Sequence, residues 1–167
     1  MLYHLVESSN TNSKQNDPEV TQTNGSSADL WAHEWNKHGT CLSTLYPECY
    51  DDYQHGQEMV DYFDISIRMS RELPTFQFLE ACGIVPSNDT TYFFSDIQQC
   101  LARHTGGEGY TPHVRCSERG ELNEVWYQFY WTGSLRGGER TWAHTKTETN
   151  CPDTGIKYPP QEGSRYA

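Results

Sequence analysis

The chain contains one run whose side chains strongly favour a β-strand, residues 125–131, which read Val-Trp-Tyr-Gln-Phe-Tyr-Trp. β-branched and aromatic residues favour extended backbone, and Thr132-Gly133 closes the run. A strand this apolar needs partners, and residues 113–116 and 140–143 are its expected neighbours. We therefore predict an antiparallel sheet in the second half of the chain.

The residues before this run follow helical patterns, with apolar positions three or four apart and breakers between the segments. Helices followed by strands indicate an α+β fold, in which several helices flank the antiparallel sheet. The predicted helices cover residues 30–38 (capped by Ser27 or Asp29 and ended by Gly39), about 51–73 (ended by Pro74), 76–82, and 95–101 (capped by Ser95).

The length of 167 residues fits one domain, which we place at residues 30–167. Residues 1–29 form a polar lead-in, and from residue 7 onward they are mostly Ser, Thr, Asn and Gln, so we expect loop or disorder there. No run approaches the roughly 18 apolar residues of a membrane span. The first residues also lack the basic and apolar regions of a signal peptide.

Cysteines and charge narrow the class of protein further. The six cysteines are irregularly spaced and contain no Cys-x-x-Cys pair, so disulfides in an exported protein are the better interpretation. Sequons at Asn24 and Asn88 agree weakly with export. The net charge of -11 argues against a protein whose main task is tight nucleic-acid binding, because such binding uses clustered Lys and Arg.

The segment that carries chemistry is residues 31–41, which contains two histidines, a glutamate and a lysine within six positions. On a helix Glu34 and His38 share a face at i,i+4, and so do His33 and Lys37. An imidazole beside a carboxylate and an ammonium can move protons and stabilise developing negative charge. A phosphodiester under attack requires those functions, and RNA supplies its own nucleophile in the 2'-hydroxyl.

Two alternatives compete with this interpretation. A zinc-protease helix places its histidines four residues apart, whereas His33 and His38 are five apart and diverge by about 140° around the axis. The other alternative is structural. In it, both histidines are surface or core residues whose hydrogen bonds are satisfied and which have no chemical role, and Trp31 and Trp35 form the buried stripe of the helix. The isolated residues His55, His104, His113 and His144 have no local partner in the sequence and receive no role.

Residues 31–41, read as Trp-Ala-His-Glu-Trp-Asn-Lys-His-Gly-Thr-Cys, closely resemble the second active-site segment of the ribonuclease T2 family, and its fungal members most. The similarity covers about residues 30–160, through residues 46–50, 83–87, 95–97 and 155–160. It implies a ribonuclease T2-like α+β fold and a secreted endoribonuclease. The implied reaction is transesterification to a 2',3'-cyclic phosphate, with little base preference and no cofactor or metal.

The resemblance also implies roles for individual residues of this segment. His38 would be the acid/base histidine that accepts the 2'-hydroxyl proton. Glu34 and Lys37 would stabilise the phosphorane-like transition state, and His33 would hold the phosphate.

Base contacts and disulfides follow from the same resemblance. Leu30 stands where fungal relatives often carry an aromatic residue that touches a base, and we assign base contact to Leu30 and Trp31. For the cysteines, the resemblance implies a Cys116–Cys151 bridge, leaves Cys82 and Cys100 as an additional pair, and matches Cys41 and Cys49 to positions that pair with upstream cysteines.

The sequence departs from the family in one respect, because it contains no His-Gly-Leu-Trp-Pro segment, whose histidine is the second acid/base partner. We therefore expect the chain to begin after that segment. Loss of a positioned proton donor typically costs about 10²–10⁴-fold in rate, so weak or no activity is expected from the chain alone.

The expected partner is RNA, bound transiently by a monomer without a membrane, outside the cell or in a vacuole or lysosome. Two rival functions stay open. One is a catalytically impaired relative that binds RNA or protein, and the other is a metallohydrolase, which the histidine spacing disfavours.

Overall fold

The computed structural model describes the backbone of residues 2–8 and, with side chains except at Ser27 and Leu30, residues 27–106, 109–144 and 149–160. The helices are α1 (Ser27–Lys37), α2 (Gln57–Glu72), α3 (Thr75–Ala81) and α4 (Phe94–Arg103). The strands are β1 (Leu2–Ser8), β2 (Ser87–Tyr92), β3 (His113–Cys116), β4 (Leu122–Thr132), β5 (Glu139–Trp142) and β6 (Ile156–Tyr158). Within these ranges no helix combines the length and apolar character that a bilayer crossing requires.

Strand β4 organises the larger sheet. Strands β1 and β3 pair antiparallel with β4 on its two edges, and β5 also pairs with β4. Strands β2 and β6 form a separate antiparallel pair. The predicted α+β class, with antiparallel sheets and helices, is confirmed, and the predicted neighbours of the 125–131 strand are its partners.

The chain divides into two compact units. The first, here called the sheet unit, comprises residues 1–11, 73–130 and 141–167, and the second, the helical unit, comprises residues 12–72 and 131–140. The single domain placed at residues 30–167 stays a prediction. Of the expected polar lead-in, residues 2–8 form β1 and residues 27–29 begin α1, so these residues are not loop. Residues 9–26, including the Asn24 sequon, lie outside the described residues.

The core of the sheet unit lies on one face of β4. Val125, Tyr127 and Phe129 alternate along the strand and are fully or almost fully buried, as period-two side-chain direction requires. Helix α4 packs its apolar side through Ile97 and Leu101, both with no exposed surface. Because these rings and branched chains fill the interior, the inward-facing residues of the aromatic run are structural.

The side chain of Asn150 makes two hydrogen bonds to the last residue of β3, Cys116. The Cys116 N–H donates to the Asn150 side-chain oxygen at 2.9 Å, and the Asn150 amide donates to the Cys116 carbonyl at 2.7 Å. The amide therefore satisfies both backbone groups of Cys116, as a neighbouring strand would. The disulfide to Cys151 fixes the same segment beside the strand.

The helical unit is built on α2. Its residues Tyr62, Ile65 and Met69 recur at helical spacing and are buried. The prediction that this helix begins near residue 51 is wrong, because Gly56 has φ +84° and the helix starts at Gln57. The predicted Ser95 cap of α4 is also wrong, since Phe93 precedes the helix and Ser95 lies inside its first turn.

Candidate active site

Helix α1 carries most of the residues that the sequence singled out. Trp31, His33, Glu34 and Lys37 lie within it, and His38 follows its last residue. The His38 N–H still donates to the Glu34 carbonyl at 3.0 Å, so the backbone keeps its helical bond for one more residue. Glu34 and His38 therefore keep the i,i+4 relation that the sequence predicted.

The structure brings Glu34 and His38 together at their side chains. The Nε2 atom of His38 lies 3.9 Å from Oε2 of Glu34, an ion-pair distance when the imidazole is protonated. Both side chains are open to solvent, with 63% of His38 and 41% of Glu34 exposed. Water therefore weakens the pair's contribution to stability, but a ligand that covers the site strengthens its electrostatic effect.

His33 and Lys37 occupy the same helix, also one turn apart. His33 is half-buried and Lys37 is exposed. Helical geometry places side chains at i and i+4 on the same face, so the Lys37 ammonium and the His33 imidazole share one face of α1. The backbone of Leu30 belongs to α1, but its side chain lies outside the described residues.

Aromatic contacts fix α1 against α2. The Trp31 ring lies 4.9 Å from Phe63, and the Trp35 ring lies 5.8 Å from Tyr62. Trp31 nevertheless keeps 53% of its surface exposed, which leaves an aromatic surface beside the charged residues. The structural alternative, in which Trp31 and Trp35 form the buried stripe of the helix, is therefore wrong for Trp31.

The segment after α1 carries two unpaired thiols. Cys41 and Cys49 are exposed and free, and their Sγ atoms lie 3.5 Å from the carbonyls of Lys37 and Ser43. The other four cysteines form the two disulfides Cys82–Cys100 and Cys116–Cys151. This is the pairing that the family resemblance implies.

A cluster that the sequence did not reveal lies elsewhere in the helical unit. The Tyr50 hydroxyl donates to Oδ2 of Asp61 at 3.0 Å, and the Arg136 Nε lies 3.4 Å from the same oxygen. The Arg136 guanidinium also stacks 4.0 Å above the Tyr50 ring. Burial, and next the hydrogen bond to Asp61, raise the pKa of Tyr50 to about 12. Local sequence carries no signal for this cluster, because Arg136 is far from Tyr50 along the chain.

Potential metal ligands converge at one place among the described residues. Atoms of Cys82, Cys100 and His104 lie within 4.8 Å of one another, and neither His33 nor His38 belongs to that group. The two cysteines are joined in a disulfide, so their sulfurs are not thiolate ligands.

Helix α1 of this α+β fold thus presents a histidine, a carboxylate and an ammonium on an exposed surface. The sequence pattern of the Ribonuclease T2 family matches residues 7–150. The chain belongs to the ribonuclease T2 family.

Individual relatives agree with this assignment. The chain is 47% identical over 141 residues to a ribonuclease T2-like protein of Aspergillus fumigatus, which covers 83% of this chain and 33% of the relative. It is 41% identical over 144 residues to ribonuclease T2-like 1-A of Candida albicans, which covers 86% of this chain and 35% of the relative. The crystal structure of Actibind, a T2 ribonuclease, superposes with a TM-score of 0.75 at 41% identity, over 81% of this chain and 56% of that chain. The chain thus spans about a third of the length of the two curated relatives.

Proposed function

We propose that this chain is the His38-bearing part of an endoribonuclease that cleaves single-stranded RNA without a metal. The observation that carries the proposal is the approach of His38 Nε2 to Glu34 Oε2 at 3.9 Å on an exposed helix. An imidazole held beside a carboxylate is suited to accept a proton, because the negative charge stabilises the imidazolium that forms. Membership of the family supports the same reaction class.

The reaction begins at the 2'-hydroxyl of RNA. His38 takes the hydroxyl proton as the 2'-oxygen forms a bond to phosphorus. The bond from phosphorus to the 5'-oxygen then breaks, leaving a 2',3'-cyclic phosphate on one fragment. The leaving 5'-oxygen receives a proton from an acid, which the family carries on the histidine of its His-Gly-Leu-Trp-Pro segment.

The other α1 residues act on charge and position. Glu34 and Lys37 stabilise the phosphorane-like transition state as the 2'-oxygen attacks, and Glu34 also orients His38. His33 holds the phosphate. Its half-buried position, a helical turn from Lys37, supports a positioning role.

Base contact is assigned to Leu30 and Trp31. Trp31 keeps 53% of its surface exposed while Phe63 supports the ring at 4.9 Å, so it offers a rigid surface for stacking. Stacking accepts every base, which agrees with little base specificity. The net charge of -11 favours a brief encounter with RNA over stable binding.

The disulfides support export from the cytosol. Cys82–Cys100 and Cys116–Cys151 are both formed, and disulfides persist in oxidising compartments. We infer that the protein acts outside the cell or in a vacuole or lysosome, as a monomer.

The test is to incubate the purified chain with single-stranded RNA in EDTA at mildly acid pH and to identify cyclic phosphate ends by mass spectrometry. We expect a low yield of these ends from the parent chain and from His55→Ala, an exposed histidine with no assigned role, because the sequence lacks the segment that carries the second acid/base histidine. His38→Ala should give none. Cleavage that EDTA abolishes and zinc restores would contradict the proposal.

The same assay distinguishes the second candidate function, a module that binds RNA or protein without cutting. A folded chain that produces no cyclic ends but retains RNA in a filter-binding assay would support that function instead. His38→Ala would then bind RNA as the parent does.

A further inference from the structure

The helical unit contains a cavity of about 350 Å³ away from the residues of α1. It is formed by the C-terminal half of α2, the end of β4, the start of β5 and the loop between these two strands. Its lining residues are Arg68, Met69, Glu72, Trp131, Arg136, Gly137, Gly138 and Arg140.

Three arginines converge on this cavity, although the chain has only 12 Lys and Arg in total and a net charge of -11. Two of them are held by carboxylates: Arg140 Nη1 lies 3.1 Å from Glu72, and Arg136 Nε lies 3.4 Å from Asp61. The three guanidinium groups and these two carboxylates together carry a net charge of +1. The cavity is therefore locally positive on an acidic protein.

The ion pairs orient the arginines and still leave some of their N–H donors available to a ligand. A guanidinium carries five N–H donors in a planar fork, and the pair with Asp61 engages only the Nε edge of Arg136. Stacking on Tyr50 at 4.0 Å holds the plane of the Arg136 guanidinium. Such fixed, forked donors match the geometry of phosphate oxygens.

Trp131 supplies an aromatic wall to the same cavity. Its Nε1 donates to the Ser134 carbonyl at 3.0 Å, which fixes the ring. Gly138 must remain without a side chain, because a Cβ there would lie 2.2 Å from the Thr132 carbonyl oxygen and 2.9 Å from Trp131 Nε1. The loop therefore brings its backbone close to the indole and leaves the cavity open beside it.

We propose that this cavity binds one nucleotide, with its phosphate on Arg68, Arg136 and Arg140 and its base stacked on Trp131. The volume lies at the lower end of small-molecule sites, about 300–1,000 Å³, which suits a single nucleotide. The inference rests on the proposed function, because RNA and its fragments are the nucleotides that a ribonuclease meets. The nucleotide is either a free monophosphate or one unit of an RNA strand.

The test follows the indole N–H resonance of Trp131 by NMR, assigned with Trp131→Phe, during titration with 2'-deoxyadenosine 5'-monophosphate. We expect the resonance to shift until the site is saturated. The Kd for the nucleotide should rise about tenfold in Arg68→Gln, because one charge-assisted hydrogen bond is lost. Arg71→Gln is the matched control, since Arg71 is an exposed arginine of α2 outside the cavity lining, and its Kd should equal that of the parent.

Two further ligands separate the sources of the nucleotide. An oligodeoxynucleotide without terminal phosphates that shifts the same resonance identifies a strand unit, whereas a response only to the monophosphate identifies a free nucleotide. Any of three results overturns the proposal. The Trp131 resonance does not move, the Kd is the same in the Arg68 and Arg71 variants, or inorganic phosphate binds as tightly as the nucleotide.

Failure of this inference is distinguishable from failure of the proposed function. Neither deoxy ligand has a 2'-hydroxyl, so neither can be cleaved and binding is measured without catalysis. His38→Ala should keep the full Trp131 response, because His38 does not line the cavity.

Discussion

Gly39 is buried directly against the indole ring of Trp35, so that a Cβ atom at position 39 would lie 2.2 Å from Cε3 of that ring. Trp35 in turn contacts Tyr62 of α2. The residue that follows His38 is therefore tied, through one ring, to the helix that supports α1. Helix α1 ends at Lys37, before the predicted last residue His38, and Gly39 begins the 3-10 turn that follows it.

Gly39→Ala is expected to displace the Trp35 ring and to lower the free energy of unfolding by about 1–3 kcal/mol, as overpacking does. Chemical denaturation of the purified chain measures this change. Gly137→Ala is the control, because a Cβ there would meet no atom within 4 Å. Equal losses in the two variants would contradict the steric explanation.

Glu34→Gln is expected to lower the rate of RNA cleavage by at least about tenfold, because it removes the charge that stabilises the His38 imidazolium. The unfolding midpoint should change little, since the pair is exposed and its net contribution to stability is small. Initial rates of cyclic-phosphate formation give the effect, and Glu80→Gln, an exposed glutamate of α3, is the control. An unchanged rate in Glu34→Gln would remove Glu34 from the mechanism.

Tyr50 is expected to titrate near pH 12, which the phenolate absorbance difference between the parent and Tyr50→Phe will show. The raised pKa means that the folded state holds this proton more tightly than the unfolded state, whose tyrosine titrates near 10. Its contribution to stability, at most about 3 kcal/mol, is present below pH 10 and is lost as pH rises toward 12. Asp61→Asn should lower the pKa, since Asp61 accepts the hydroxyl hydrogen bond and raises it by its charge.

Alkylation without reductant is expected to modify only Cys41 and Cys49, because the other four cysteines are paired. Peptide mapping by mass spectrometry checks this. Replacing both members of the Cys116–Cys151 bridge should cost about 3–4 kcal/mol of stability, and somewhat less for Cys82–Cys100, whose loop is shorter (18 residues against 35). An alkylated Cys116 or Cys151 would show that the bridge is not closed.

Local patterns predicted the secondary structure well where one signal dominates. The aromatic run at residues 125–131 became the centre of β4, because alternating burial and β propensity agree there. The predicted start of α2 was wrong because Gly56 takes a left-handed conformation that helical periodicity cannot reveal. Ser95 failed as a cap because the helix begins at Phe94, and Phe93 before it provides the extended entry to α4.

In the candidate site, too, some contacts could be predicted from local sequence and others could not. The Glu34 and His38 approach was predictable, since i,i+4 spacing on a helix determines it. The contacts of Tyr50 with Asp61 and Arg136, and the convergence of Arg68 with Arg140, were not predictable from local sequence. They join residues far apart in the chain, and only tertiary packing decides which distant charges meet.

The amide of Asn150 has a consequence for the behaviour of the protein in concentrated solution. Among the described strands, β3 lies at one edge of the larger sheet, where unpaired backbone groups invite another chain to add a strand. Asn150 already occupies both backbone groups of Cys116, and the disulfide to Cys151 holds it there. At this end of the edge, Cys116 therefore offers no free backbone group to which a strand of another chain could pair.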